Sequence, residues 1–547
     1  MSIFDSILVK RPNRSLFNLS HEFKMTGNFG YLYPILCQEV LPGDTWKVSS
    51  EVLCRFAPLI APIMHRINLK INYFFVPYRL IWDEFEDFIT GGEDGTLFPV
   101  RPTIKINIGP SSAENKYIKA GSLADYLGFP TFEEDELSQL SISRDFDFDA
   151  LPFRAYALIW NEYFRNQNLQ DKLAFSKDSG PGFSVQILEL QRRCWEKDYF
   201  TSALPDVQRG PAVAIPVEGS IDIAGMVGQN VSVDVNRIQP ANASTPAFQT
   251  TMHSSGGNRT FVSSKGQGDG FADGTDVKLH GSLASTSIAS VLAARLTEIT
   301  STINDLRDNT HLQRFLEKNM RGGSRYTEQI YAHYGVRSSD ARLQRPEYLG
   351  GYSAPVVVSE VLQNSGSVPG QTPQATMAGH GMVADRSHYC KRFFEEHGII
   401  MGLLSVLPRT TYQQGLPRQY QRTTRYDVYW PEFANLGEQD VRNNELFYNL
   451  QSPDGDSTPF GYQQRYCEYK YIPSTVHGEF KTSLDFWHLG RIFDTPPALN
   501  SDFVSSNDVR NDVFAVDDEE AAHKLWIEVY NNIRAVRPMP RHANPVI

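Results

Sequence analysis

The stretch His65–Pro77, HRINLKINYFFVP, constrains the fold of this chain more than any other. Ile67, Leu69, Ile71, Tyr73 and Phe75 alternate with Asn68, Lys70, Asn72 and Phe74. Side chains of a strand point to opposite faces with a period of two, so the pattern is that of a strand with one apolar face. Further β-branched and aromatic runs, most bounded by Gly or Pro, occur at Leu36–Val40, Thr45–Leu53, Ala212–Val217, Pro355–Leu362, Ile399–Leu407, Arg425–Trp430, Tyr462–Ile472, Thr475–Phe480 and Trp526–Val536. Strands scattered so widely over 547 residues predict an antiparallel sandwich with long insertions rather than a compact meander.

Helical periodicity lies between the strands. Ile81–Ile89, Arg154–Leu169, a long segment after Ser285 and Ser287 running toward Lys318, and Arg325–Tyr334 all repeat apolar residues at helical spacing. Gly335 is a suitable stop for the last of these. Gly219–Leu283 and Gln363–Ala378 are polar and show little periodicity. Loops of that length usually serve a binding or exposed role.

Charge and composition narrow the function. The net charge of −11 argues against a generic basic nucleic-acid binder but says nothing of local patches. Aromatic residues reach 12%, and 35 Arg stand against 17 Lys. Tyr and Arg together suit extensive protein interfaces. Glu133–Asp149 holds seven acids against Arg144, whereas Arg386–Arg425 holds seven cations against two acids. Such runs are usually solvated faces; the alternative is that opposite regions of neighbouring copies meet. The five cysteines are scattered and never form a C-x-x-C pair, which favours a reducing compartment over a disulfide framework. The first residues lack the order of a secretion signal, and the longest apolar stretches are too short to span a bilayer. A soluble protein made inside a cell is expected.

Catalytic motifs are missing. No P-loop, H-E-x-x-H or G-x-S-x-G is present, and Gly266, Gly268 and Gly270 follow no strand. The calcium-loop likeness that begins at Asp269 fails at Phe271 and His280. His388, Cys390 and His397 match no common metal spacing. Asp83, Glu84, Glu86 and Asp87 could supply the paired carboxylates of a carbohydrate-active sandwich enzyme, which would also need a cleft where two carboxylates converge. A carbohydrate-binding role for the long insertion is a third reading. The expectation is a protein with no catalytic residue, no metal and no cofactor.

Several long blocks resemble one family. Pro58–Gly92, Leu151–Leu169, Arg193–Gly210, Gly322–Gly351, Tyr429–Val441, Phe460–Phe480, Pro497–Val504 and the RPMPR ending at Arg537–Arg541 are similar, in order and spacing, to the major capsid proteins of microviruses (Microviridae). These are tailless bacteriophages with single-stranded DNA, and the likeness is to the gokushovirus-type branch. The blocks run from near residue 17 to the C-terminus. The resemblance implies a mainly β fold: one eight-stranded antiparallel jelly-roll sandwich over residues 1–547, with long interstrand insertions containing several helices. It further implies an N-terminal arm at 1–24, a variable surface-exposed insertion at 219–283 and a C-terminal tail at 537–547.

By the same resemblance, sixty copies form a T=1 icosahedral shell around a circular single-stranded DNA genome. The partners implied are other copies of the chain, the genome, a small basic DNA-binding protein, an internal scaffolding protein during assembly, a DNA pilot protein and a host cell-surface receptor. The chain would assemble in bacterial cytoplasm and reside in the virion. Because DNA is a polyanion, an acidic shell needs a locally basic inner wall or other cations. Lys10, Arg11 and Arg14 of the arm and Arg534, Arg537 and Arg541 of the tail are the residues expected to face nucleic acid. The competing reading is that they pair with acids of a neighbouring subunit.

Overall fold

The structure, a computed structural model, describes residues 13–110, 112–138, 143–182, 185–211, 213, 303–323, 325–337, 339–362, 377–386, 390–450, 458–516 and 522–542. Lys10, Arg11, His388, the insertion 219–283, the first part of the long helical segment and, Val213 apart, the run Ala212–Val217 lie outside these residues. The chain divides into two units, Met1–Arg209 with Leu316–Ile547, and Gly210–Phe315.

Sixteen strands are described, all within the first unit: β1 Ser15–Asn18, β2 His21–Gly27, β3 Tyr33–Val40, β4 Thr45–Phe56, β5 Ile67–Pro77, β6 Thr103–Ile108, β7 Arg144–Asp149, β8 Pro181–Gly182, β9 Glu347–Pro355, β10 Val357–Leu362, β11 Met377–Arg386, β12 Cys390–Phe393, β13 Gly398–Pro408, β14 Glu438–Arg442, β15 Pro459–Gln464 and β16 Leu525–Arg537. The described part of the stretch 1–24 is therefore largely strand. Two large sheets dominate. The first runs β1-β16-β4-β11-β10, with β2 also on β16 and β12 also on β4; the second runs β3-β13-β5-β9. Every neighbouring pair in both is antiparallel.

One hydrophobic core joins the two sheets. Val48, Val52, Cys54 and Phe56 of β4 and Ile527, Val529 and Ile533 of β16 pack in the same cluster as Ile67, Leu69, Ile71, Tyr73 and Phe75 of β5. The alternation read in His65–Pro77 is thus the core face of β5. Inside this apolar layer lies a polar cross-tie. Ser50 donates to Asn531 Oδ1 at 2.7 Å, Tyr73 donates to Ser50 at 2.6 Å, and Asn531 donates to the Ile35 carbonyl at 2.9 Å. Four strands from both sheets meet there, and satisfied buried polar groups fix their register.

The second sheet is covered on its other face too. Phe74 and Val76 of β5 and Ile399, Met401 and Leu403 of β13 pack against the helix Leu151–Ile159 and the strands β6 and β7. Strand β13 is consequently buried along its whole length, as its run GIIMGLLSVLP, apolar but for Ser405, requires.

The structure corrects three expected strands. Arg425–Trp430 pairs with no strand; it opens with a single turn, Arg425–Asp427, and only then runs extended through Val428 and Trp430. The run Tyr462–Ile472 leaves the sheet after Gln464, because Tyr466 adopts a left-handed backbone (φ 61°) and starts the turn Cys467–Tyr469. Thr475–Phe480 makes one isolated bridge, Tyr412 with Thr475, before a turn at Gly478–Lys481. Their aromatic side chains make local ring contacts, such as Tyr429 with Tyr466 at 5.0 Å, in place of cross-strand pairs. The helix expected over Arg154–Leu169 starts earlier, at Leu151, and gives way to a wider turn at Trp160–Phe164. The helix Tyr326–Tyr334 ends as expected, with Gly335 at φ 69°.

Candidate nucleic-acid interface

The core claims one parity of β4 and β16, so the other parity must form the outer face of the first sheet. On β16 that face carries Trp526, Glu528, Tyr530, Asn532 and Arg534. On β4 it carries Lys47, Ser49, Glu51, Leu53 and Arg55. Pairing arranges these residues in rows. At one end, Trp526 lies between Thr26 and Arg55, with Met382 beyond. At the other, Arg534 lies between Asn18 and Lys47, and Lys47 lies opposite Lys391.

Three cations, Arg534, Lys47 and Lys391, therefore stand side by side on three adjacent strands, all exposed. Directly opposed residues on neighbouring strands are about 5 Å apart, and like charges at that spacing destabilise a sheet. Arg14 adds a fourth positive charge nearby, over the ring of Phe393 at 5.6 Å, where Phe393 adjoins Lys391 on β12. The acids of the same face are matched: Glu22 and Glu528 share Lys24 at 2.7 and 3.6 Å, and Glu51 meets Arg386 at 3.4 Å. Among the described residues, neither Arg534 nor Lys391 has a carboxylate within ion-pair distance. A row of adjacent cations at one end of a face that carries exposed Tyr530 and, at its other end, Trp526 suits a single-stranded polyanion: cations for phosphates, rings for unpaired bases.

The expected nucleic-acid residues separate here. Arg14 and Arg534 both lie toward the basic end of this face, several positions apart along it, and Arg541 is exposed beyond the end of β16. Arg537 points the other way. Its Nε lies 3.1 Å from the buried carboxylate of Asp44, its Nη2 donates to the Glu39 carbonyl at 2.8 Å, and its guanidinium covers the Trp46 ring at 5.1 Å. Asp44 also accepts from Trp46 Nε1 at 3.0 Å and from the Leu41 amide at 3.1 Å. Lys47, Lys391, Arg55, Trp526 and Tyr530 were not among the residues expected from sequence. The signal was present in the parity of β4 and β16, but which strands lie side by side was not.

Of the acids at 83–87, Asp83, Glu84 and Glu86 are exposed, with Asp83 3.9 Å from Lys177 and Glu84 bonded to Ser179. Burial pushes the thiols of Cys37 and Cys54 up to about 12 and that of Cys390 up to about 11, and His397 packs edge-on to Phe85. Among the described residues no group of three or more His, Cys, Asp or Glu is placed to hold a metal ion. Among the cavities lined by more than one carboxylate, one of about 350 Å³ holds Glu445 and Glu468. Both are fixed by structural partners. Glu445 accepts from Tyr199 at 2.9 Å, Arg418 at 3.0 Å and the Arg442 amide at 3.0 Å; Glu468 accepts from Gln439 at 2.7 Å.

Two antiparallel sheets thus share one core, and the carboxylates of this cavity are held by packing partners. The chain belongs to the family described as "Capsid protein (F protein)", whose model it matches over residues 6–547. It is 36% identical to the "Capsid protein VP1" of Chlamydia phage 1, over 99% of this chain and 97% of that protein. Identity is also 36% to the "Capsid protein VP1" of Bdellovibrio phage phiMH2K, covering 92% and 90%, and 30% to that of Spiroplasma virus 4, covering 97% and 95%. The microvirus likeness read from the sequence blocks is borne out, and the protein is a non-enzymatic component of the virion.

Proposed function

We propose that this chain is the major shell protein of a T=1 particle: sixty copies of a jelly-roll subunit close around a circular single-stranded DNA genome. The observation that carries the reading is the pairing order of eight strands. Counting only β2, β3, β4, β5, β9, β11, β13 and β16, the first pairs with the eighth, the second with the seventh, the third with the sixth and the fourth with the fifth. That is the order of one long antiparallel hairpin rolled into two four-stranded sheets, the arrangement of a jelly roll.

Exposed aromatics support self-association. Tyr420 is 69% exposed, and Tyr426, Tyr429, Trp430 and Leu436 follow it on one segment with Arg422 and Arg425 among them. Tyr, Trp and Arg dominate the energetics of interface centres. The outer face of the first sheet, with Arg14, Lys47, Lys391 and Arg534, is the surface assigned to the genome. The small basic DNA-binding protein shares charge neutralisation with it, scaffolding and pilot proteins act during assembly, and the insertion 219–283 contributes to host attachment.

Purified full-length protein examined by negative-stain microscopy is expected to show closed particles of uniform diameter. Particles made with Lys47→Glu and Arg534→Glu should keep that diameter and hold less nucleic acid, read as a lower ratio of absorbance at about 260 to 280 nm. Equal nucleic-acid content in variant and parent particles would remove the genome-facing assignment.

A further inference from the structure

A second concentration of positive charge lies on the far side of the second sheet from the shared core. There a cavity of about 770 Å³ is bounded by the outward residues Lys70, Asn72 and Phe74 of β5 and by the segments 163–168 and 193–204. Most of its charges are matched. Lys70 pairs with Glu196, Arg325 meets Glu328 at 3.2 Å and Glu162 at 3.8 Å, and Arg321 meets Glu438 at 2.5 Å.

Arg165, Arg193 and Lys197 are different. Among the described residues none of them has a carboxylate within 4.0 Å. Arg165 is 9% exposed; its Nη1 donates to the Gln170 carbonyl at 2.6 Å, and its buried Nε has no partner. Arg193 donates to Ser405 Oγ at 2.9 Å and covers the Phe164 ring at 5.6 Å. All three cations, with Cys194, line the cavity. The Cys194 thiol reports their convergence: burial raises it, while the Asn166 backbone and then the charges of Arg193, Lys197 and Arg165 pull it back down. Acids act on the two guanidiniums only from beyond ion-pair distance, Glu162 and Asp171 on Arg165 and Glu196 on Arg193. A buried guanidinium without a close counter-charge is costly, and three cations bordering one open cavity leave a place for an anion.

We propose that this cavity is an oxyanion site that takes a phosphate group between Arg165, Arg193 and Lys197. Guanidinium forks match the several oxygens of a phosphate, and the ammonium of Lys197 adds a mobile point charge. The cavity is much larger than the ion, so the phosphate can be free or part of a nucleotide. The site is built on the opposite sheet from the basic row and does not depend on the assembly reading.

The test is thermal unfolding of the full-length protein in rising inorganic phosphate, at ionic strength held constant with chloride. A ligand that binds only the native state raises Tm with the logarithm of its concentration. Phosphate is expected to raise Tm where chloride does not. Arg193→Gln and Lys197→Gln should each weaken the apparent affinity by about tenfold or more, the usual effect of losing one hydrogen bond to a charged group. Lys197 is exposed, so its variant separates ligand loss from misfolding. A second series with thymidine monophosphate identifies the source: a larger rise than phosphate at equal concentration points to a nucleotide, an equal rise to the free ion. No rise with either, or a rise unchanged in both variants, overturns the site.

Discussion

Arg534 and Arg537 stand three positions apart on β16, and strand parity sends them to opposite faces. Arg534 joins the exposed basic row, whereas Arg537 balances the buried carboxylate of Asp44. Their substitutions should separate accordingly. Arg537→Ala is expected to cost about 3 kcal/mol in denaturant unfolding, because removing one partner strands a buried charge. Arg534→Ala should leave stability within about 0.5 kcal/mol. It should lower the slope of log affinity against log salt for an oligodeoxynucleotide by about one. The sequence could name both arginines but not divide them, since the division depends on how Leu525–Arg537 sits against β4. Two histidines add a pH dependence. Burial holds His65 below its ordinary value of 6.5, more than the bond to the Arg409 carbonyl restores, and burial with Lys524 does the same for His523. The unfolded chain binds protons more readily than such groups do in the fold. The stability they contribute is therefore present above 6.5 and lost as pH falls through the folded values. A Tm series from about pH 8 down to about pH 5 should decline, and less steeply in His65→Gln.

Elements were legible in proportion to how far burial set their pattern. Strand β5 alternates over Ile67–Tyr73, where one face meets a core, and turns continuously apolar where Phe74 and Val76 enter the second cluster; β13, covered on both faces, is apolar along its length apart from Ser405. Strand β11, MAGHGMVADR, shows neither. Both of its glycines answer to close packing: a Cβ on Gly379 would lie 2.6 Å from the Ala61 carbonyl oxygen, and one on Gly381 would lie 2.4 Å from the Phe56 ring. Gly381→Ala is expected to destabilise by about 1–3 kcal/mol through overpacking, measurable by denaturant titration. Arg425–Trp430 errs the other way. Its composition is that of a strand, yet Tyr426, Tyr429 and Trp430 are left on the surface, where they serve contact rather than pairing. The cross-tie through Ser50, Tyr73 and Asn531 was invisible in sequence because Ser50 and Asn531 are 481 residues apart. Asn531→Ala should cost about 1–3 kcal/mol, the penalty of leaving buried partners unsatisfied.

At the scale of the whole molecule, family and fold class could be read from the order of the blocks, whereas the working surfaces could not. Which strands become neighbours decides both the rolled-hairpin order and the basic row, and neither follows from local periodicity. Isolated subunits that present Tyr420, Trp430 and Leu436 to water should be driven into contact with one another. Trp430→Ala combined with Tyr429→Ala is expected to slow or block particle formation while the Tm of the subunit changes little, as the two side chains lie about half exposed. The most direct measurement is the mass of the purified full-length chain by analytical ultracentrifugation, followed by a cryo-EM map of whatever assembles. The expected result is a closed shell with Trp526, Lys47 and Arg534 lining its interior. A monodisperse species of 61.8 kDa that persists at high concentration, or a shell with that face turned outward, would contradict it.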